Sequence, residues 1–483
     1  MRIAFAINGT RGDVQPAMVL AHALRSRGHD VRLGVPPNLV DFASAAGVAV
    51  TPFGPDTKAL MAQVAQERAC AGRNPLRRIR AAAAQRDRGW SELVADMGSL
   101  VEGADAIVAG FITEQPALVY CEKLGVPLIS LHHAPIRPNS VVGPIPAVVA
   151  GPRITRAAWT VVKAALSLAT RSREKRLRKS VGVPRLQGTL ASRIAHTPGV
   201  ELQLYDPLFS IGDDPIWRND SRRRTRPVVG FVEVPPSMRK AMADNESESD
   251  LVVWIEAGTP PVYVGFGSMP IADGTRVRAA VGAAVRLGFR VLLCAGWNDI
   301  DAGTAMAQLT AETGAAEHDI RIVADVDHEA IFPRCSVIIH HGGAGTTAAA
   351  LRAGCPSVIC WYGSDQPWWG RELARRGAGM AMSYKNIDTA RLEDELRAAA
   401  APNVVARARD ISVSLMSGDD ALQEAVRSIE NAVPRTTVVA DSTLVEAIAP
   451  QLETTQPETT QLELPPSADD AWPPRVPTAQ EAG

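Results

Sequence analysis

Between Val337 and Thr346 an apolar run ends at His340, continues through His341, Gly342, Gly343, Ala344 and Gly345, and reaches Thr346, with a helix expected over Ala348 to Ala353. Glycines let a backbone approach a diphosphate without side-chain clash, and a helix amino terminus adds unpaired N–H donors and partial positive charge. An imidazole just before such a loop can donate to the same oxygens. For a lone glycine turn, close packing is the plainer reading. A second loop changes the balance: Trp361, Tyr362, Gly363, Ser364, Asp365, Gln366, Pro367, Trp368 and Trp369 follow the next strand. In a doubly wound sheet both loops fall at the same carboxyl edge and can touch one ligand. An acid beside an amide suits the vicinal hydroxyls of a sugar, and the aromatic residues are expected to cover its apolar face.

Transfer of a sugar to a hydroxyl needs one group to accept the hydroxyl's proton, and a carboxylate facing the donor can do so. Asp13, in Gly9-Thr10-Arg11-Gly12-Asp13-Val14-Gln15-Pro16, occupies the turn between the first strand and its helix. The alternative for Asp13 is the N-cap of a helix opening at Val14. His132 and His133 also follow a strand, and either face an acceptor and relay a proton or serve the fold. The strings Asp299-Ile300-Asp301 and Asp325-Val326-Asp327 resemble a metal pair in spacing, but the glycine loop, helix terminus and His340 already offset a diphosphate's charge. Both are read as chance, and no metal is expected.

The elements that must hold these residues read as α/β. A chain of 483 residues that is 46% hydrophobic can bury more than one core. Apolar strands at Ile3 to Ile7, Val31 to Val35, Ala106 to Ala109 and Pro127 to Leu131 alternate with helical stretches, which predicts a parallel sheet. Strands at Val262 to Phe266, Val291 to Ala295, Ile320 to Val323, Val337 to His340 and Ser357 to Trp361 predict a second. The expected divisions are 1–225, 226–434 and a disordered tail 435–483, with the linker within about 206–250. The tail is rich in Thr, Pro, Glu and Gln and lacks core periodicity.

Fifty-one basic against 52 acidic residues leave a net charge of -1, which removes any global argument for nucleic acid. Six cysteines with no CxxC pair read as reduced packing residues of a cytosolic protein. No apolar run approaches the ~20 residues that span a bilayer. Residues 153–179 combine many cations with an apolar stripe of Trp159, Val162, Leu166 and Leu168. Two readings stand side by side: peripheral membrane contact, or an acceptor-domain helix whose stripe packs inward.

The string His340 to Thr346, the following Ala350 to Pro356, Asp365-Gln366-Pro367-Trp368 and the opening Gly9 to Pro16 resemble the family 1 glycosyltransferases of GT-B fold. The subgroup resembled glycosylates sterols, antibiotic aglycones and mycobacterial glycolipids, and the likeness covers roughly residues 1 to 430. It implies two Rossmann-like domains facing across a cleft, the last helices returning to the first. It implies that His340, with His341 beside it, contacts the donor diphosphate. Gly343, Ala344, Gly345, Thr346 and Ser268 add loop contacts, and Asp365 and Gln366 hold the sugar. Val326, in a turn that includes His328, would meet a pyrimidine through its backbone, while Thr10, Arg11 and Gly12 approach the donor from the first half. Asp325 stands where plant members carry a stacking Trp, which leaves the base open. Asp13 stands where many relatives place His.

The expected reaction is inverting, metal-independent transfer of a hexosyl group from a UDP- or dTDP-sugar to a hydroxyl of a lipophilic acceptor. The nucleotide sugar is a co-substrate and no cofactor is expected; the location is cytoplasmic, or peripheral at the inner membrane face. The alternatives are a sugar-nucleotide epimerase and a non-catalytic donor-binding partner, the latter needing no base in the first half. A phosphorylase lacks its cofactor lysine here. A dinucleotide oxidoreductase is disfavoured because Gly9-Thr10-Arg11-Gly12 is not GxGxxG.

Overall fold

The computed structural model describes residues 1–71, 89–184, 188–221, 224–242, 245–269, 274–298 and 301–433. The tail expected from 435 on lies outside them, as do residues 72–88, Arg222-Arg223 and Asp299-Ile300. The first half is built on β1 (Arg2–Ala6), β2 (Asp30–Val35), β3 (Ala49–Pro52), β4 (Ala106–Gly110), β5 (Leu128–His132) and β6 (Gly199–Gln203). The second uses β7 (Val262–Gly265), β8 (Val291–Cys294), β9 (Ile320–Val323), β10 (Val337–His340), β11 (Ser357–Trp361) and β12 (Gly379–Ser383). Each forms one parallel six-stranded sheet, in the order β3-β2-β1-β4-β5-β6 and, read from its own third strand, β9-β8-β7-β10-β11-β12. The expected pair of doubly wound sheets is therefore present, with the same strand order twice.

The central strands are near-continuous apolar runs because helices cover both faces. Phe5 sits in register with Leu33 on one side and Val108 on the other, all fully buried. Six helices position the site or its surroundings: α1 (Arg11–Ser26), α2 (Glu114–Leu124), α3 (Pro152–Val181), α4 (Ala344–Arg352), α5 (Gln366–Arg375) and α6 (Gly418–Ala432). Two begin earlier than the sequence predicts. Helix α1 opens at Arg11 because Thr10 adopts an extended cap conformation and the Asp13 carboxylate accepts the Thr10 backbone N–H at 2.8 Å, a capping-box contact. Asp13 is thus in the first turn rather than at the cap. Helix α4 opens at Ala344, with extended Gly343 as its N-cap, so Ala344, Gly345 and Thr346 form its first turn.

Segment 225–230 runs beside β6, with Glu201 N–H donating to Thr225 and Val229 N–H to Gln203, which carries the first half past the 225/226 boundary drawn from composition. Val234 and Met238 still pack in the first core, whereas Leu251 and Ile255 pack in the second, so the chain crosses between them. Helix α6 then packs Leu422, Ala425, Val426 and Ile429 into the first half's core. An aromatic cluster joins the halves: the Trp369 ring lies 5.3 Å from Phe209, 5.7 Å from Phe231 and 6.5 Å from Tyr205.

Candidate active site

The carboxyl edges of the two sheets face each other. Arg11, in the first turn of α1, forms an ion pair with Asp325 in the turn after β9. Arg371 of α5 donates to the Pro146 carbonyl in the loop after β5 at 2.6 Å. The space between these contacts is the crevice in which open α/β sheets bind ligands.

On the second side, the loop from β10 to α4 is shaped by Gly342 at φ 88, a left-handed conformation in which a Cβ would also strike Ile359. His340 is fully buried and its Nδ1 accepts the Gly342 N–H at 3.1 Å. Nε2 of the neutral ring therefore carries the proton. That N–H is buried and, among the described residues, has no acceptor. A buried donor left unpaired costs about 1–3 kcal/mol, so this one fits an anion brought into the loop. Burial first, then the neighbouring His341 and His328, holds the His340 imidazolium far below its ordinary range. His341 is only partly buried and packs against Gly343 so closely that a side chain at 343 would meet its ring. The first turn of α4 has no side-chain cap, leaving the N–H groups of Ala344, Gly345 and Thr346 at the loop mouth.

The loop after β11 turns through Ser364 at φ 57, the only non-glycine residue at positive φ among those described. It presents Asp365 just before α5. Gln366 Oε1 accepts the N–H groups of Tyr362 at 2.8 Å and Gly363 at 3.3 Å, while its Nε2 points to Met269 Sδ at 3.7 Å. Met269 follows Ser268 in the loop after β7, so the three loops converge. Asp365 Oδ2 accepts the Trp369 indole N–H at 3.2 Å. The expectation that Trp368 and Trp369 cover a sugar is corrected: Trp369 is 0% exposed and Trp368 2%, both within the core between the halves.

Facing this loop is Asp13. Burial raises the Asp365 carboxyl above its usual range, His133 opposes that rise and the negative charge of Asp13 adds to it. Residues from both halves are thus electrostatically joined at one point. Asp13 Oδ2 is held by Thr10, and among the described residues Oδ1 meets no donor. Gly12, in the first turn of α1, is exposed beside it.

His132 is corrected in the other direction. It is 1% exposed, lies 3.5 Å from Glu114 and is bonded to Gln203 at 3.2 Å, inside the sheet rather than at the cleft. Burial, then the positive charge of Arg137, lowers its pKa. His133, partly exposed, keeps the cleft-facing place. Val326 is buried at the turn after β9. His328 stacks on Phe332 with ring centroids 4.4 Å apart and lies 3.3 Å from the Tyr263 hydroxyl, so it supports that turn from behind. Asp327 accepts the Glu329 N–H at 3.0 Å as a helix cap, and Asp301 likewise accepts Thr304 at 2.8 Å.

Sequence reasoning missed an apolar step on the first side. Phe111 and Ile112, at the carboxyl end of β4, are 60% and 56% exposed, a signal visible only as two apolar residues stranded in a turn. It also missed the buried network beneath, where Arg137 pairs with Glu114 and, at 3.1 Å, with Glu201, and Arg226 completes Glu201 at 2.5 Å. These ion pairs fix the loop after β5.

Residues 3–141 match the model for the glycosyltransferase family 28 N-terminal domain. Residues 296–429 match that for the erythromycin biosynthesis protein CIII-like C-terminal domain. The chain is 34% identical over 437 residues to an uncharacterized glycosyltransferase of Mycobacterium tuberculosis, covering 88% of this chain and 99% of the relative. It is 28% identical over 450 residues to a sterol 3-beta-glucosyltransferase of Arabidopsis thaliana, covering 90% of this chain and 66% of the other. Among solved structures, the glycosyltransferase VinC in complex with dTDP is similar in fold, with a TM-score of 0.57 at 20% identity over 89% of this chain and 100% of that one.

Proposed function

The chain belongs to the family 1 glycosyltransferases of GT-B fold, and from that premise we propose that it transfers a hexosyl group, with inversion and without a metal, from a UDP- or dTDP-sugar to a hydroxyl of a lipophilic acceptor. The observation that carries this reading is the buried, unpaired His340 Nε2–H beside the open first turn of α4, on the far side of the crevice that the Arg11–Asp325 ion pair closes next to Asp13.

Asp13 Oδ1 takes the proton of the acceptor hydroxyl as its oxygen attacks the anomeric carbon. The bond from that carbon to the diphosphate breaks on the opposite face, which inverts the centre. Negative charge gathering on the leaving diphosphate meets the N–H groups of Ala344, Gly345 and Thr346 and the His340 Nε2–H, with Ser268 and His341 at the rim. Asp365 and the Gln366 amide take the sugar hydroxyls. The backbone at Val326 takes the pyrimidine, Arg11 closes over the nucleotide, and Thr10 and Gly12 shape the wall opposite. Neutralisation by these groups leaves no step that needs a metal, and the two Asp-x-Asp strings supply a cleft ion pair and two helix caps instead.

A lipophilic acceptor is supported by the apolar step at Phe111 and Ile112 and by the sterol and antibiotic subjects of the relatives. Among the described residues five cysteines are buried and unpaired, which supports a cytoplasmic setting, and no described helix is long and apolar enough to cross a membrane. The test is a thermal-shift screen against UDP- and dTDP-hexoses, followed by release of nucleoside diphosphate with a sterol or polyketide alcohol. No response to any pyrimidine diphosphate sugar would sink the reading.

A further inference from the structure

Helix α3 runs for 30 residues, and its carboxyl half carries most of its ties to the first domain. There Glu174 accepts from Gln115 of α2 at 2.7 Å and pairs with Arg193, Arg178 pairs with Glu122, and Leu177 enters the core. Nearer the amino end, the Trp159 indole donates to the Val142 carbonyl at 2.9 Å and ties the helix to the preceding loop. At 3.6 residues per turn, Thr155, Trp159, Thr170, Glu174 and Leu177 share the packed side. On the outward side lie Ile154, Ala157, Val161, Ala165 and Leu168. Ile154 and Val161 are each 65% exposed and Leu168 77%. The stripe read from sequence mixed the two faces: Trp159 and Val162 turn partly inward, while Leu166 and Leu168 face out.

The adjoining loop continues this surface with Val141, Ile145, Val148 and Val149, all more than half exposed. The exposed charges on the helix are of one sign, among them Arg153, Arg156, Lys163, Arg171, Lys175 and Lys179, and the helix's single acid, Glu174, is buried. An apolar stripe edged by cations is costly to leave in water, and its charge selects what covers it. A second copy of the chain would set cations against cations. A negatively charged lipid surface supplies both the apolar layer and the counter-charge.

We propose that the outward face of α3, with the loop 141–149, seats the protein on an anionic membrane surface. The same loop reaches the cleft at Pro146, so the acceptor side of the crevice opens toward the bilayer. The seating itself goes beyond the transfer reaction, and vesicle binding by the native chain tests it separately; only its bearing on the acceptor side rests on that reading.

The experiment is co-sedimentation of the full chain with vesicles of phosphatidylcholine alone and of phosphatidylcholine mixed equally with phosphatidylglycerol. Binding to the anionic vesicles should exceed binding to the neutral ones by about tenfold at low salt and fall as salt is raised. Val161→Asp with Leu168→Asp should abolish it while the melting temperature and the transfer of sugar to a water-soluble alcohol stay unchanged. If that variant fails to fold, Arg171→Gln with Lys175→Gln and Lys179→Gln is read in its place, and lost binding supports the proposal. Failure of the native chain to bind anionic vesicles overturns it, as does full binding by a folded variant. A solution dimer that the double variant dissolves, without vesicle binding by the native chain, overturns it in favour of self-association.

Discussion

Arg11 and Asp325 meet across the cleft, one in the first helical turn of the chain and the other in the turn that would hold the nucleobase. Their side chains are 34% and 60% exposed, so the pair contributes at most about 1 kcal/mol to stability. On the proposed donor site the pair would act on the ligand, because Asp325 occupies Arg11 and would set a negative charge near a bound nucleoside diphosphate. Asp325→Ala is expected to tighten dTDP or UDP binding several-fold, on the order of 1 kcal/mol, and Arg11→Ala to weaken it by a similar factor. Calorimetric titration of both variants checks this, and shifts in the same direction would remove the pair from the donor site.

Asp13 has two tasks to separate, because its carboxylate also holds the Thr10 N–H. Asparagine preserves that acceptor and removes the base. Asp13→Asn should retain donor affinity and melting temperature yet lower kcat by about 10²–10⁴-fold. Asp13→Ala should in addition lose about 1 kcal/mol of stability with the cap. Near-normal turnover by the asparagine variant would assign Asp13 to the helix alone.

Three imidazoles at the carboxyl edge of the second sheet resist protonation. Burial, aided by Arg11, brings His328 down to about 4; burial, aided by His328, does the same for His341; His340 is depressed further. Below about 6.5 the unfolded chain binds protons that the folded chain refuses. Stability is therefore full above that pH and is lost as pH falls toward about 4, by on the order of 1 kcal/mol or more per group. Melting curves between pH 7 and 5 should show the loss. Added dTDP should reduce it, since a diphosphate favours the charged rings. An acid-insensitive melting temperature would contradict the depressed titration of these rings.

Trp369 joins the halves through Tyr205, Phe209 and Phe231. Trp369→Ala should cost about 3–5 kcal/mol. Scanning calorimetry of the native chain should give one transition, and the variant should melt in two steps or at a much lower temperature. Two well-separated transitions in the native chain would show that the cluster does not couple the halves.

The loop from β10 to α4 was legible because its spacing reports backbone requirements: Gly342 must reach positive φ, and no other residue type does so cheaply. Strand positions were legible for the same local reason. What escaped were facts of direction. His132 and His133 are neighbours in sequence, but a strand enclosed on both faces shows no alternation to tell the buried one from the cleft-facing one. Trp368 and Trp369 follow a ligand loop, and only the packing of α5 turns them toward the core. The helix starts shifted because glycine near a helix end is cheaper than glycine within it: Gly12 and Gly345 were assigned to loops and lie in first turns.

Helix α6 bonds back to the beginning of the chain, with His29 and Glu430 joined at 2.9 Å across 401 positions. During synthesis, therefore, the first sheet leaves the ribosome long before the helix that seals it. The sides of α1 and β6 that α6 packs against stay uncovered by it while the whole second half is made. A messenger cut short near codon 415 would leave the second sheet with its strands complete and the first one open.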